Sequence, residues 1–488
     1  MTNGWKKAGL IGLGTVLGAL LTLNFSAVAQ RESRLPIPYE DLQLLSAVFG
    51  KIKSDYVEPV SDQKLIREAI NGMVHGLDPH SDFLDADAFK ELQVSTQGKF
   101  GGLGIEVGIE EGVVRVVSPI EDTPAFRAGI RSGDLIVKID DTATRGMPLN
   151  KAVELMRGKP GTPITLTVVR KDAEGLLTFP LVREEINVKS VRAKMLEPGY
   201  GYVRIRNFQE RTGEDLAKAL REFYKQGDLK GLVLDVRSDP GGLLNQAVAV
   251  SAAFLPKDAL VVYTDGRTPD ARMRLTASRD NYQRRGEDWL RDLPPAVKKV
   301  PMVVLVDSGT ASASEIVAGA LQDHKRAIVM GAQTFGKGSV QTILPIGATA
   351  GLKLTTARYY TPSGRSIQAK GIEPDIAIDD GRDTGNRIRE ANLEHHLETP
   401  RAGGAGTTGA SPSGASAPAS TAPAPAVPAK PAAKPTVSAP PLPRFEFGSA
   451  EDFQLKQAMN QLKGEPIVAS IRSVAAANTV PSVVAPAK

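Results

Sequence analysis

The chain has 488 residues, room for two or three domains, and an apolar content of 41% that supports a buried core. It contains no cysteine, which excludes disulfides, thiolate metal sites and cysteine catalysis. A formal net charge of +5 is small for this length and gives no case for nucleic-acid binding.

Residues 1–29 read as a secretory signal, with Lys6 and Lys7 at a basic start, an apolar run over 8–23, and Ala27-Val28-Ala29 as a cleavage site. The run is short for a membrane span, so cleavage is expected. The expected location is periplasmic or otherwise extracytoplasmic, with inner-membrane association if the segment is kept. Residues 30–95 form an N-terminal helical region. Leu42, Leu45, Phe49 and Ile52 recur at helical spacing, Leu65, Ile66, Ile70 and Val74 repeat it, and Asp78-Pro79 breaks it. His75 and His80 read as surface or packing residues, and nothing in the chain has metal-ligand spacing; no metal or cofactor is expected.

Residues 96–183 set out a second unit. Gly102-Leu103-Gly104-Ile105 opens it, Thr123-Pro124 starts a short helix closed by Gly129, 149–156 is a second helix, and 164–169 is a last strand. Residues 101–170 resemble a PDZ domain. The resemblance makes Leu103, Gly104 and Ile105 a carboxylate-binding loop and adds Val153 to the pocket; the same apolar residues also suit a plain core.

Residues 184–385 alternate strand and helix, an α/β pattern. A buried strand at 231–236 leads into Arg237-Ser238-Asp239-Pro240-Gly241-Gly242. Residues 266–299 are polar and rich in arginine, and read as a solvated surface insertion. Residues 386–445 form a linker, Ala- and Pro-rich and expected to be disordered over 401–443, and 446–488 carry one amphipathic helix, at 452–464, and a tail.

The densest chemistry lies at 301–346. A buried strand at 302–306 runs into a turn of small residues. Ser312-Ala313-Ser314-Glu315 then has capping-box spacing ahead of an apolar helix. A second strand at 327–330 leads to Gly336-Lys337-Gly338. Ser312 reads equally as an N-cap or as a nucleophile whose oxyanion the first helical amides would hold. The Gly331 to Lys337 spacing fits a phosphate loop until Gly338, where Ser or Thr is required, and a strand follows instead of a helix. His324 on the same helix would lie roughly 18 Å from Ser312, too far to serve as its base. Lys337 is the remaining base, if burial lowers its pKa.

The strings TASASEIVAGALQDHKRAIVM and TFGKGSVQ together resemble the tail-specific, or C-terminal processing, serine peptidases. The resemblance, over roughly residues 40–380, implies a crotonase/Clp-like α/β peptidase core with an inserted PDZ domain and an N-terminal helical region. It implies Ser312 as nucleophile, Lys337 as base and Gln341 as the residue orienting it. Gly241 or Gly242, with Ala313, supply the oxyanion amides, and Arg157 couples the PDZ domain to the site. It implies protein substrates with nonpolar C-termini, a homo-oligomer through the N-terminal helices and, in some relatives, a helical-repeat lipoprotein adaptor. The alternative is a catalytically inactive PDZ adaptor on the same core.

Overall fold

Two short apolar runs set the core. Gly231–Asp235 and Met302–Val306 are buried at every position, as central strands covered on both faces must be. They pair in parallel, Leu232 beside Met302 and Asp235 beside Leu305. The sheet runs Val191–Glu197, Tyr200–Ile205, Gly231–Asp235, Met302–Val306, Ile328–Gly331, Ile376–Ala377, and only its first pair is antiparallel. This computed structural model describes residues 38–399 and 447–470, apart from 111, 121, 284, 348–349 and 382–387. The signal segment, most of the 386–445 linker and the end of the tail lie outside the described residues; residues 388–399, expected to begin that disordered linker, are instead packed, with Glu390 buried.

Because strand side chains alternate, the two faces of the sheet bury different residues. Leu232, Leu234, Val304 and Val306 point into a cluster with the helices Thr212–Lys225, Leu244–Phe254 and Ala313–Asp323. Val233, Val303 and Leu305 point the other way, onto Leu455, Ala458 and Met459 of the C-terminal helix Phe453–Lys463. Asp452 caps that helix by accepting from the Leu455 N–H at 3.1 Å, and Gly464 ends it with a φ of 71°.

A second sheet carries the lysine loop. Its spine, Ala350–Tyr360, pairs antiparallel with Ser339–Ile346, Asp82–Leu84 and Leu260–Gly266. The polar stretch 266–299 departs from the expected solvated insertion. Ala271, Ala277, Tyr282 and Val297 are buried, and Trp289 packs on the core with its ring 5.2 Å from Tyr282. The described arginines between these anchors stay outside, so average composition hides the packing.

The PDZ-like unit is an antiparallel sheet ordered Ile105–Glu110, Val113–Pro119, Leu135–Ile139, Pro163–Val169, Leu176–Val182. The last of these strands was not expected from the sequence. Val114, Val116, Ile136, Leu166 and Val168 fill its own core under the helix Leu149–Met156. The chain enters and leaves it through Lys99–Gly102 and Glu184–Asn187, which pair antiparallel and make the domain an insertion.

The described residues up to Gly72 form one compact unit and those from Met73 onward another. In the first, the helix Tyr39–Asp55 leaves Leu42, Leu45 and Ile52 exposed. The two helical runs expected before Asp78-Pro79 are the helices Tyr39–Asp55 and Asp62–His75, and beyond that break the chain forms the short strand Asp82–Leu84, which was not expected.

Candidate active site

Two strand ends and their turns build the serine side. After Met302–Val306 the chain turns through Asp307, whose Oδ1 accepts from the N–H groups of Gly309 (2.9 Å) and Ser238 (2.7 Å). Thr310 Oγ1 donates to the Val236 carbonyl at 2.8 Å, and the Ala311 N–H donates to the Asp239 carbonyl at 2.9 Å. The 237–242 and 307–312 turns are therefore stitched together. Ser312 follows as N-cap of Ala313–Asp323, at φ 57° and ψ −117°. A side-chain-bearing residue rarely adopts that backbone, and such strain persists only where surrounding bonds enforce it.

Glu315 supplies those bonds. Its side chain is fully buried and accepts four hydrogen bonds. Oε2 takes the N–H of Ser312 at 2.8 Å and the N–H of Lys337 at 2.9 Å. Oε1 takes the Thr334 hydroxyl at 2.6 Å and the Gly336 N–H at 2.7 Å. One carboxylate oxygen thus holds the backbone nitrogens of Ser312 and Lys337 within two hydrogen-bond lengths of each other. Four donors favour the ionised form, but burial outweighs them and pushes Glu315 up to about 7.

Lys337 is half-buried, and desolvation pulls its ammonium down to about 8. Lys353 acts in the same direction, while Glu390, Glu315 and Asp78 oppose it. A fraction of the lysine is therefore neutral near pH 7, as a base requires. Tyr359, on the spine strand, is buried beside both residues. Its hydroxyl donates to the Lys337 carbonyl and reaches the Ser312 side chain. Burial holds the phenol well above its ordinary range, so it stays protonated.

Gly241 packs directly on the serine turn. A Cβ there would lie 2.8 Å from each of the Ala311 oxygen, the Ala313 nitrogen and the Ser312 Cβ. Its φ of 95° adds a second reason for glycine. The Gly241 N–H donates to Asp239 Oδ1 at 2.8 Å. No hydrogen bond leaves the Gly242 N–H among the described residues, and Gly242 lies against Phe208, whose oxygen would meet a Cβ at 2.2 Å. Asp239 itself is pushed up to about 8 by burial, and its Oδ2 has no partner among the described residues.

The other residues singled out from sequence fall in different places. Gln341 lies on Ser339–Ile346, where a register shift after Val340 sets it opposite Thr355. Its amide donates to Ser339 Oγ at 3.0 Å and Thr355 Oγ1 at 3.1 Å, so it does not meet Lys337 directly in this arrangement. In the PDZ-like unit, Leu103 is a core side chain, while Ile105 and Val153 are half-buried at its edge. Gly104, at φ 75°, points its carbonyl at the Ile120 N–H. The N–H groups of Leu103 and Gly104 make no hydrogen bond among the described residues. Arg157 ends the helix Leu149–Met156, bonds Glu91 at 3.1 Å and lies 5.1 Å from the Phe100 ring centroid. It joins the PDZ-like unit to the preceding helix Ala86–Gln97 and does not touch the serine side.

Sequence reasoning missed Tyr359, Glu390 and Asp239. Glu315 was visible only as half of a capping box. Its second task, gripping the lysine loop, depends on contacts across 21 and 22 residues that no local pattern announces.

A strand-to-helix serine, a half-buried, desolvated lysine and an inserted PDZ-like domain define a class of serine peptidase, and comparison with known proteins gives the family. Residues 199–378 match the description "Peptidase family S41", 115–170 match "PDZ domain", and 21–88 match "Activating protease CtpB N-terminal domain". A carboxy-terminal-processing protease of Bartonella bacilliformis is 46% identical over 369 residues, covering 75% of this chain and 81% of that protein. The carboxy-terminal processing protease CtpB of Bacillus subtilis is 38% identical, over 73% of this chain and 71% of its own. Among solved structures, a photosystem II D1 C-terminal processing protease is 32% identical over 69% of this chain and 86% of its own, with a TM-score of 0.40. The chain belongs to peptidase family S41, as a C-terminal processing serine peptidase with a PDZ domain.

Proposed function

We propose that this peptidase works outside the cytoplasm with Ser312 as nucleophile and Lys337 as general base, on proteins whose nonpolar C-terminal tails the PDZ domain captures. The observation that carries this reading is the shared Glu315 oxygen, which fastens the serine turn and the lysine loop side by side. Neutral Lys337 Nζ takes the Ser312 Oγ proton as Oγ bonds to the peptide carbonyl carbon. The carbonyl oxygen becomes an oxyanion held by the Ala313 amide and a glycine amide. Gly242 is the better candidate glycine, since Gly241 is engaged by Asp239. The C–N bond then breaks, the amine leaves with the proton from Lys337, and an acyl-enzyme remains. Water attacks that ester with Lys337 again accepting a proton, and Ser312 is restored.

The Leu103 and Gly104 amides suit a peptide carboxylate, with Ile105 and Val153 beside them for an apolar last residue. The basic, apolar and Ala-x-Ala features of residues 1–29 support export to the periplasm. The exposed Leu42, Leu45 and Ile52 stripe supports self-association through the N-terminal helices, and a helical-repeat lipoprotein remains the expected adaptor. The test uses an unstructured protein ending in a nonpolar tail. Ser312→Ala and Lys337→Ala should each abolish cleavage, read by mass spectrometry, while tail binding, read by fluorescence anisotropy, is kept. Cleavage by Ser312→Ala would overturn the nucleophile assignment.

A further inference from the structure

The lysine loop is gripped from two sides by segments that the catalytic reading does not use. One is the 388–399 segment, which follows the matched S41 region of 199–378. Arg389 Nη1 donates to Gln333 Oε1 at 3.0 Å and its Nη2 to the Thr334 carbonyl at 3.2 Å. The Glu390 N–H donates to the Phe335 carbonyl at 3.2 Å. This segment therefore lies along the loop that leads to Lys337. The Glu390 carboxyl is then turned inward, at 1% side-chain exposure.

Each oxygen of that carboxyl has its own partner. Oε1 accepts from Gln368 Nε2 at 2.8 Å, and Gln368 Oε1 accepts from the Gly338 N–H at 2.9 Å. Oε2 is 2.7 Å from His80 Nε2. His80 belongs to the second segment, the Asp78–Ser81 turn. Asp78 Oδ1 accepts from the His80 N–H at 2.9 Å and from Thr355 Oγ1 at 3.0 Å, and Thr355 in turn accepts from Gln341. Asp78 Oδ2 accepts from Ser81 Oγ at 2.7 Å. Two hydrogen-bonded routes thus run from one turn to the residues just after Lys337. His80, Glu390 and Gln368 reach Gly338, while Asp78, Thr355 and Gln341 reach Ser339.

Nothing in the reaction consumes Glu390, yet burying a carboxyl is costly unless it is paired. We propose that His80 and Glu390 are a positioning pair for the base: their part-buried bond, passed through Gln368 to Gly338, holds the Lys337 turn against the Ser312 turn. The 78–81 turn thereby becomes part of the catalytic apparatus without touching substrate. The charged and titratable groups facing Lys337 are Glu390, Glu315 and Asp78 on one side of the balance and Lys353 on the other, with the Tyr359 hydroxyl beside its carbonyl. Glu390 therefore has a second effect, since its negative charge favours the protonated lysine.

The proposal rests on the Ser–Lys reading, and the experiment separates the two. Full-length wild type, Lys337→Ala, His80→Ala and Glu390→Gln are compared for kcat and KM across pH, with tail binding measured separately. His80→Ala should lower kcat about 10- to 100-fold, as a small displacement of a base does, with KM and tail affinity within about twofold. Glu390→Gln keeps the shape and removes the charge, so its acid limb should move to lower pH, which a loss of packing alone would not do. Wild-type kcat in His80→Ala overturns the positioning role while an inactive Lys337→Ala leaves the dyad standing, and an unmoved acid limb in Glu390→Gln overturns the charge effect. An active Lys337→Ala overturns both. If His80→Ala fails to fold, kcat on the pH plateau of Glu390→Ala, which removes both bonds of the carboxyl, decides.

Discussion

Replacing Glu315 with Gln tests the arrangement at its most constrained point. The carboxylate accepts from four donors, and an amide can accept on one oxygen only. The less costly orientation keeps the amide oxygen on Ser312 and Lys337 and turns the NH2 towards Thr334 and Gly336. The Thr334 hydroxyl can rotate to accept, although it already accepts from the Ile372 N–H at 2.7 Å. The Gly336 N–H cannot, and is left facing a donor. One orphaned buried donor costs roughly 1–3 kcal/mol, and two bonds that lose charge assistance add about 1–2 kcal/mol. Glu315→Gln should therefore lose about 2–5 kcal/mol in urea unfolding. Its kcat should fall about 100-fold, because the lysine loop relaxes away from the serine turn. A variant with kcat within threefold of wild type and less than about 1 kcal/mol of lost stability would show that the shared carboxylate does not set the geometry.

Four further outcomes are expected. If Lys337 is the base, as proposed, the rate should climb about tenfold per pH unit below pH 8 and level off above it, because burial places Lys337 at about 8. Lys353→Gln removes a repelling charge, so its limb should shift to higher pH; a shift the other way would contradict the electrostatic account. Gly241→Ala must fit a Cβ 2.8 Å from two backbone atoms at a φ of 95°, which should cost roughly 2–5 kcal/mol and at least about 100-fold in kcat. A crystal structure of an active Gly241→Ala protein with an unshifted serine turn would refute this. Asp452→Ala strips Arg237 of two buried bonds, at 3.0 and 2.6 Å, and should destabilise by about 3–5 kcal/mol; an unchanged urea midpoint would contradict it.

Much of the framework could be read from local pattern. Five consecutive apolar residues at Met302–Val306 admit little but a buried strand, and Ser312 with Glu315 marks a helix start in any context. What stayed hidden depends on distance along the chain. His80 and Glu390 are 310 residues apart and carry no periodicity that could pair them. Gln341 is turned towards Thr355 by a single-residue register shift, which alternation alone cannot reveal. Trp289 and Tyr282 sit among arginines whose charge dominates the average, so a packed segment reads as a solvated one. The proposed catalytic roles came from resemblance, since burial of a lysine leaves no mark in its own sequence neighbourhood.

The C-terminal helix is held by its own contacts. Leu455 and Met459 lie on Val233, Val303 and Leu305, and Asp452 and Gln454 grip Arg237, which begins the turn that ends at Gly242. A protease nick anywhere between 399 and 447 should therefore release nothing: the two fragments would migrate as one particle on a sizing column and separate only in denaturant. A stop codon ahead of 447 is a different injury. It would bare Tyr202, Leu305 and Met330 to water, and the shortened product should collect in inclusion bodies.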